Sequence, residues 1–207
     1  MQHKALTGLP IGIARDTDQD RRERLKRLRG CCDSGVHMRW FAARVASGRE
    51  QAVENQLTDI GIEALVPMRK GPDLRRRHRV IPGVMMPVIH GYVLVHMPVD
   101  GVVLAGLRCL DHFISLVGGY ERPMAITAQE VKRFKDLAEA GVYDWEKPTG
   151  KVFRRGDRVK LFDGPFTGFD GEVVSCRSDG KGDVVVSLEV FGRETHVTVP
   201  LAICEKL

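Results

Sequence analysis

Two aspartates, Asp163 and Asp170, stand in the stretch VKLFDGPFTGFDGEVV over residues 159–174. Paired carboxylates are what general acid and base catalysis employs. Each of these, however, sits beside a glycine in a turn-rich stretch, where aspartate is favoured because it hydrogen-bonds its own backbone. His78, His90 and His96 lack the compact spacing of a metal-binding helix. Cys31, Cys32, Cys109, Cys176 and Cys204 include no C-x-x-C pair, so neither a zinc site nor a disulfide framework is expected, and the thiols read as small packed hydrophobes. No phosphate-binding P-loop, G-x-S-x-G elbow or dinucleotide fingerprint occurs. The expectation is a protein that is not an enzyme and needs no metal or cofactor.

Arginine is the residue type whose placement does suggest chemistry. The formal net charge is +5, and residues 69–79, RKGPDLRRRHR, carry six basic side chains against one acid. The remainder of the chain is close to balanced: residues 151–207 hold nine of each sign. Guanidiniums at Arg75, Arg76, Arg77 and Arg79 in a non-helical loop are each able to reach a phosphate, which makes them candidate nucleic-acid-binding residues. The alternative is a solvated charge run, since no aromatic residues are interleaved to stack on bases.

These groups need elements to position them. With 207 residues, 43% hydrophobic and 29% charged, the composition is that of an ordinary globular protein. No apolar run approaches the ~20 residues of a membrane span, and the amino terminus lacks a secretory apolar segment. A cytoplasmic protein without membrane contact is expected. Residues 1–38 read as an extension, disordered or only marginally helical, because Leu25 and Leu28 are the only apolar positions between Asp16 and Arg29.

From Arg39 to about residue 140 strand and helix patterns alternate. Trp40 opens a strand, and Ser47 with Glu50 has the spacing of a capping box before a helix that stops at Gly61. Ile62 to Met68 reads as a strand, His90 to Met97 as a central strand covered on both faces, and His112 to Val117 as another. Val99 to Leu107 suits a short helix, and Thr127 with Glu130 opens a longer one with Val131, Phe134, Leu137 and Ala138 on one face. Tyr143 to Gly150, YDWEKPTG, reads as a linker. Five short strands follow, at 157–162, 171–176, 183–190, 194–199 and 202–205, and suit a small SH3-like barrel. The fold class is therefore α+β. An α/β domain at 39–140 is joined by a linker at 141–151 to a β-barrel at 152–207.

The DGPF stretch with its following G-x-V strand resembles the KOW motif. The Trp40–Phe41 strand, the S-G-x-E helix start, the V-P-x strand, G-Y-V-L-V at 91–95, V-G-G at 117–119 and R-P at 122–123 resemble, in the same order, the N-terminal domain of the NusG/RfaH family. The resemblance covers about residues 38–207 and implies a transcription elongation factor, with a specialised paralogue as the finer reading. It implies that the N-terminal domain binds the clamp helices of the largest RNA polymerase subunit through Trp40, Ile89, His90, Tyr92 and Leu94. Ile89 and His90 depart from the usual Phe-Pro of the family. For Trp40 and Leu94 the competing reading is plain core packing; a tyrosine such as Tyr92 suits a surface both apolar and hydrated. The resemblance further implies that Val190, Phe191, Gly192 and Arg193 contact Rho or a small-subunit ribosomal protein, and that the basic loop meets upstream or non-template DNA. A KOW protein that binds nucleic acid on a ribosome or messenger, without polymerase contact, is the alternative.

Overall fold

The computed structural model describes residues 18–33, 37–76, 79–176 and 180–207. In chain order these form helix α1 (Asp18–Asp33), strand β1 (Arg39–Val45), helix α2 (Glu50–Asp59) and short strands β2 (Ala64–Leu65) and β3 (Met68–Lys70). The hairpin strands β4 (Leu74–Arg76) and β5 (Arg79–Ile81) precede β6 (Met85–Pro87), β7 (Tyr92–Met97), helix α3 (Gly101–Leu107), β8 (Phe113–Leu116), β9 (Ala125–Ile126) and helix α4 (Ala128–Glu139). The second half contributes β10 (Arg158–Leu161), β11 (Asp170–Cys176), β12 (Asp183–Val190), β13 (Arg193–Pro200) and β14 (Cys204–Lys206). Among the described residues no helix is long and apolar enough to cross a membrane.

The first half is built on a sheet with the order β2-β7-β1-β8, and β9 pairs with the start of β1. Side chains of a strand alternate between the two sheet faces. In β1 and β7 both sets are apolar apart from Arg39, Arg44 and His96. Phe41, Ala43, Val45, Val93, Val95 and Met97 join α1, α2 and α3 in one core. Trp40, Ala42, Tyr92 and Leu94 join α4 and the barrel in another. This is why His90 to Met97 reads as a nearly continuous apolar run: it is a central strand covered on both sides.

Residues 18–33 differ from the expected disordered or marginally helical extension. They form α1, which packs on α3 with Leu28 fully buried. Few apolar residues suffice, Leu28 and Cys32 buried with Leu25 and Cys31 beside them, because Gly106 lets the helices approach: a Cβ there would lie 2.6 Å from that of Leu28. Arg21 adds an ion pair to Asp111 at 2.8 Å. The earlier part of the expected extension, residues 1–17, lies outside the described residues.

The two expected capping boxes part ways. At α4 the Thr127 hydroxyl accepts from the Glu130 N–H while the Glu130 carboxylate accepts from the Thr127 N–H. At α2 the cap is Arg49, without a side-chain hydrogen bond. Buried Glu50 accepts instead from the Gly91 N–H at 2.6 Å, a tertiary donor that satisfies a carboxylate the interior would otherwise penalise. The basic stretch, expected as a loop, is a hairpin in which Leu74 faces Ile81 and Arg76 faces Arg79.

The second half is one antiparallel sheet of order β13-β12-β11-β10-β14, whose buried residues form one cluster with those on the α4 side of the first half. Val184, Val186, Leu188 and Val190 alternate inward along β12. Gly171 leaves no room for a side chain against β12: a Cβ would meet the Val186 Cγ1 at 2.5 Å. The five strands lie within two residues of the positions their sequence patterns indicate.

Candidate interaction surfaces at the seam between the two halves

Tyr92 lies on the sheet face opposite α1–α3, at the start of β7, and is buried. Its cover comes from the second half. Phe166, from the DGPF turn after β10, meets Tyr92 edge-on with ring centroids 5.0 Å apart. Gly164 of that turn adopts φ of +83°, which glycine alone takes without strain. A Cβ at Gly164 would lie 3.0 Å from the Ile89 Cδ1 and 3.3 Å from the Phe134 ring. Arg133 of α4 pairs with Asp163 of the same turn at 3.0 Å. Burial raises the Tyr92 hydroxyl above its ordinary pKa, opposed by the nearby Arg44 charge.

The sheet therefore brings Ile89, Tyr92 and Leu94 into one apolar cluster continuous with the barrel core. Trp40 belongs to the same cluster but stacks on its cross-strand partner His96, centroids 4.9 Å apart and planes at 14°. His90 is half-buried in the turn that leads into β7.

A second contact ties the halves together through a buried ion pair. The Arg69 side chain is 0% exposed and donates from Nη2 to both Asp183 carboxylate oxygens at 2.7 Å. Its Nη1 donates to the Tyr143 carbonyl at 3.3 Å, and its guanidinium lies 5.5 Å from the centre of the Trp145 ring. The segment after α4 is pinned as well. The Trp145 N–H donates to the Lys70 carbonyl at 3.0 Å, the Lys70 N–H donates to Asp144 at 2.8 Å, and Tyr143 is buried. Burial and the Asp163 charge push the Tyr143 hydroxyl well above the usual tyrosine range. Charged groups held this deeply persist only when paired and hydrogen-bonded.

Residues 38–135 match the family model described as "Transcription termination factor nusG". The Transcription termination/antitermination protein NusG of Xylella fastidiosa (strain 9a5c) is 28% identical over 186 residues, covering 81% of this chain and 98% of that protein. That of Neisseria meningitidis serogroup B is 28% identical over 180 residues, covering 82% and 98%. Residues 38–135 are a NusG-family domain. Among solved structures, "Domain interaction in Thermotoga maritima NusG" is 23% identical, covers 83% of this chain and 98% of that one, and has a TM-score of 0.42.

The chain acts in transcription, and its other expected surfaces can be located on the fold. Phe191 and Gly192 form the tip between β12 and β13, with Val190 opposite Arg193. Phe191 is 59% exposed and holds φ of 50°. Of the basic stretch, Arg75, Arg76 and Arg79 are exposed on the hairpin, while Arg77, and with it His78, lies outside the described residues. Arg69 is withdrawn into the seam and Lys70 pairs with Asp73 at 3.4 Å, so the surface charge of this chain is concentrated further along the hairpin than the sequence count suggests. Sequence reasoning missed Arg69, Asp183, Tyr143, Trp145 and Phe166 as a contact set. The available signal was an aromatic-rich segment, YDWEKPTG, since linkers seldom carry large rings. Among the described residues no group of three His, Cys, Asp or Glu is placed to hold a metal.

Proposed function

We propose that this chain is an elongation factor which grips RNA polymerase, at the clamp helices of the largest subunit, with the sheet face around Tyr92. Ile89, His90 and Leu94 extend that face and Trp40 borders it. One observation carries the reading. The tyrosine at the centre of the face is covered by Phe166 of the other half, so the face already docks an aromatic partner that is not part of its own layer. Gripping polymerase then requires the units at 39–140 and 152–207 to separate about the linker at 141–151. Separation also frees the tip at Val190, Phe191, Gly192 and Arg193 for a second factor, Rho or a small-subunit ribosomal protein. Arg75, Arg76, Arg77 and Arg79 track upstream or non-template DNA. The activity is one of binding, without a cofactor, in the cytoplasm.

The experiment is a pull-down of core polymerase with the full chain and with Tyr92→Ala, folding being checked by circular dichroism, followed by elongation assays with and without Rho. Loss of binding on Tyr92→Ala is expected. Undiminished binding removes the proposed face.

The second reading is a nucleic-acid-binding KOW protein without polymerase contact, and the exposed arginines of the hairpin favour it. Its mark is affinity for free RNA or DNA that falls steeply with salt. It fails if polymerase association survives replacement of Arg75, Arg76 and Arg77 while free nucleic acid is ignored.

A further inference from the structure

The seam also holds an open cavity of about 610 Å³, lined in part by Tyr92, Phe191 and Arg193, whose Arg44 and Arg108 the function proposed above does not use. Its floor is a row across three strands. Arg44 of β1 stands opposite Tyr92 of β7 and Ser115 of β8, and opposed residues project from the same face. One wall is the turn at residues 117–120, against which Arg108 holds its guanidinium 4.2 Å above the centre of the Tyr120 ring. The facing wall comes from the barrel tip, with Arg193 and Phe191. Phe191 reaches across the seam, its ring edge 3.0 Å from where a Cβ on Gly118 would lie. At Gly119 a Cβ would meet nothing within 4 Å, so the mouth is clear of side chains there.

The charge balance of this cavity is one-sided. Three arginines and a single carboxylate, Glu121, line it, which leaves a formal +2 (three less one). Arg44, Arg108 and Arg193 form no ion pair among the described residues. Unpaired guanidiniums bind phosphate through their planar fork, and aromatic faces stack bases with little regard to sequence. The volume is that of a small-molecule site. An acidic peptide would satisfy the arginines but give the rings nothing flat to stack on.

We propose that this cavity binds a nucleotide, free or within a single strand, its base on the Tyr120 and Phe191 rings and its phosphate on Arg44, Arg108 and Arg193. Because the walls come from both halves, the nucleotide binds the closed arrangement and holds it closed, by mass action on that state alone. That this opposes polymerase binding rests on the function proposed above; the site itself does not.

Titration calorimetry of the full chain tests this with GTP, UMP, 5′-phosphorylated hexathymidine, inorganic phosphate and a tetra-glutamate peptide as probes. Saturable binding of a nucleotide is expected, weakened tenfold or more in Arg44→Ala and in Arg108→Ala, and accompanied by protection of residues 141–151 from protease. Mononucleotide binding identifies a free ligand and binding of hexathymidine alone a strand; both support the site. The proposal is overturned if no nucleotide binds at millimolar concentration, if phosphate or the peptide binds as tightly as the nucleotides, or if both single arginine variants, folded by circular dichroism, bind undiminished. Polymerase binding by the nucleotide-free chain, compared with Tyr92→Ala, reports on the function separately.

Discussion

At the tip between β12 and β13, Phe191 holds φ of 50° and Gly192 φ of 74°, the left-handed pair required by a two-residue hairpin turn. Glycine accepts this freely, whereas an L-residue with a Cβ loses roughly 1–2 kcal/mol. A large ring that is strained and largely exposed contributes little to the barrel itself, which agrees with a role in contact. Phe191→Asn is expected to raise stability by about 1 kcal/mol in a thermal melt of the full chain while weakening capture of the second factor. The cysteines separate by burial. Desolvation first, with neighbouring charges adding to it, pushes the Cys32 thiol up to about 11. Burial, opposed by Lys151, pushes Cys204 up to about 12. Since the thiolate is the reactive form, raised values leave both inert at pH 8, and their reactivity grows only as pH climbs toward those values. Iodoacetamide on the native protein at pH 8, followed by peptide mapping, should label Cys31, Cys109 and Cys176 first and reach Cys32 and Cys204 only after denaturation.

Two elements behave differently from their sequence signals. In α1 the apolar positions are few, yet Leu28 is fully buried against α3. Leu28→Ala is expected to cost about 3 kcal/mol, as deletion of a buried leucine does. The measurement is the denaturant midpoint together with cleavage within residues 18–33; a cost under about 0.5 kcal/mol, typical of surface changes, would detach α1 from the core. The β4–β5 hairpin, in contrast, exposes apolar Leu74, Val80 and Ile81 beside its arginines. Replacing Arg75, Arg76 and Arg79 with alanine should flatten the dependence of log affinity for duplex DNA on log salt by about 3, near one unit per lost phosphate contact. An unchanged slope in fluorescence anisotropy would exclude these side chains from phosphate contact.

For the whole molecule, the closed arrangement depends on a small number of specific groups. Arg69 and Asp183 are 114 residues apart and meet at 2.7 Å inside the seam. Removing one partner of a buried pair costs about 3–5 kcal/mol because the other charge is left unpaired. Here the stranded Arg69 has an alternative to staying buried: separation of the halves returns it to water. Asp183→Asn is thus expected to appear as opening rather than unfolding, with a larger radius of gyration in small-angle scattering and tighter polymerase binding. An unchanged scattering profile with unchanged polymerase affinity would show that the apolar contact of Tyr92, Ile89 and Phe134 with the DGPF turn holds the halves without help.

Apart from α1 and the β4–β5 hairpin, the main strand and helix positions were legible from local pattern alone. Alternation along β12, the apolar run of β7 and the Thr127–Glu130 cap each depend on residues a few positions apart, and backbone geometry converts such spacing directly into faces and caps. The order of motifs across both halves likewise sufficed to name a family and to nominate surfaces for contact. What only the tertiary structure decided is what covers those surfaces. Glu50 abandons its cap for the Gly91 N–H, Arg69 leaves the basic patch for Asp183, and Tyr92 packs under Phe166. Each choice sets a local option against a partner distant in sequence. The distant partner prevails because burial removes water, and a polar or charged group without water is stable only where the fold supplies a donor or an opposite charge.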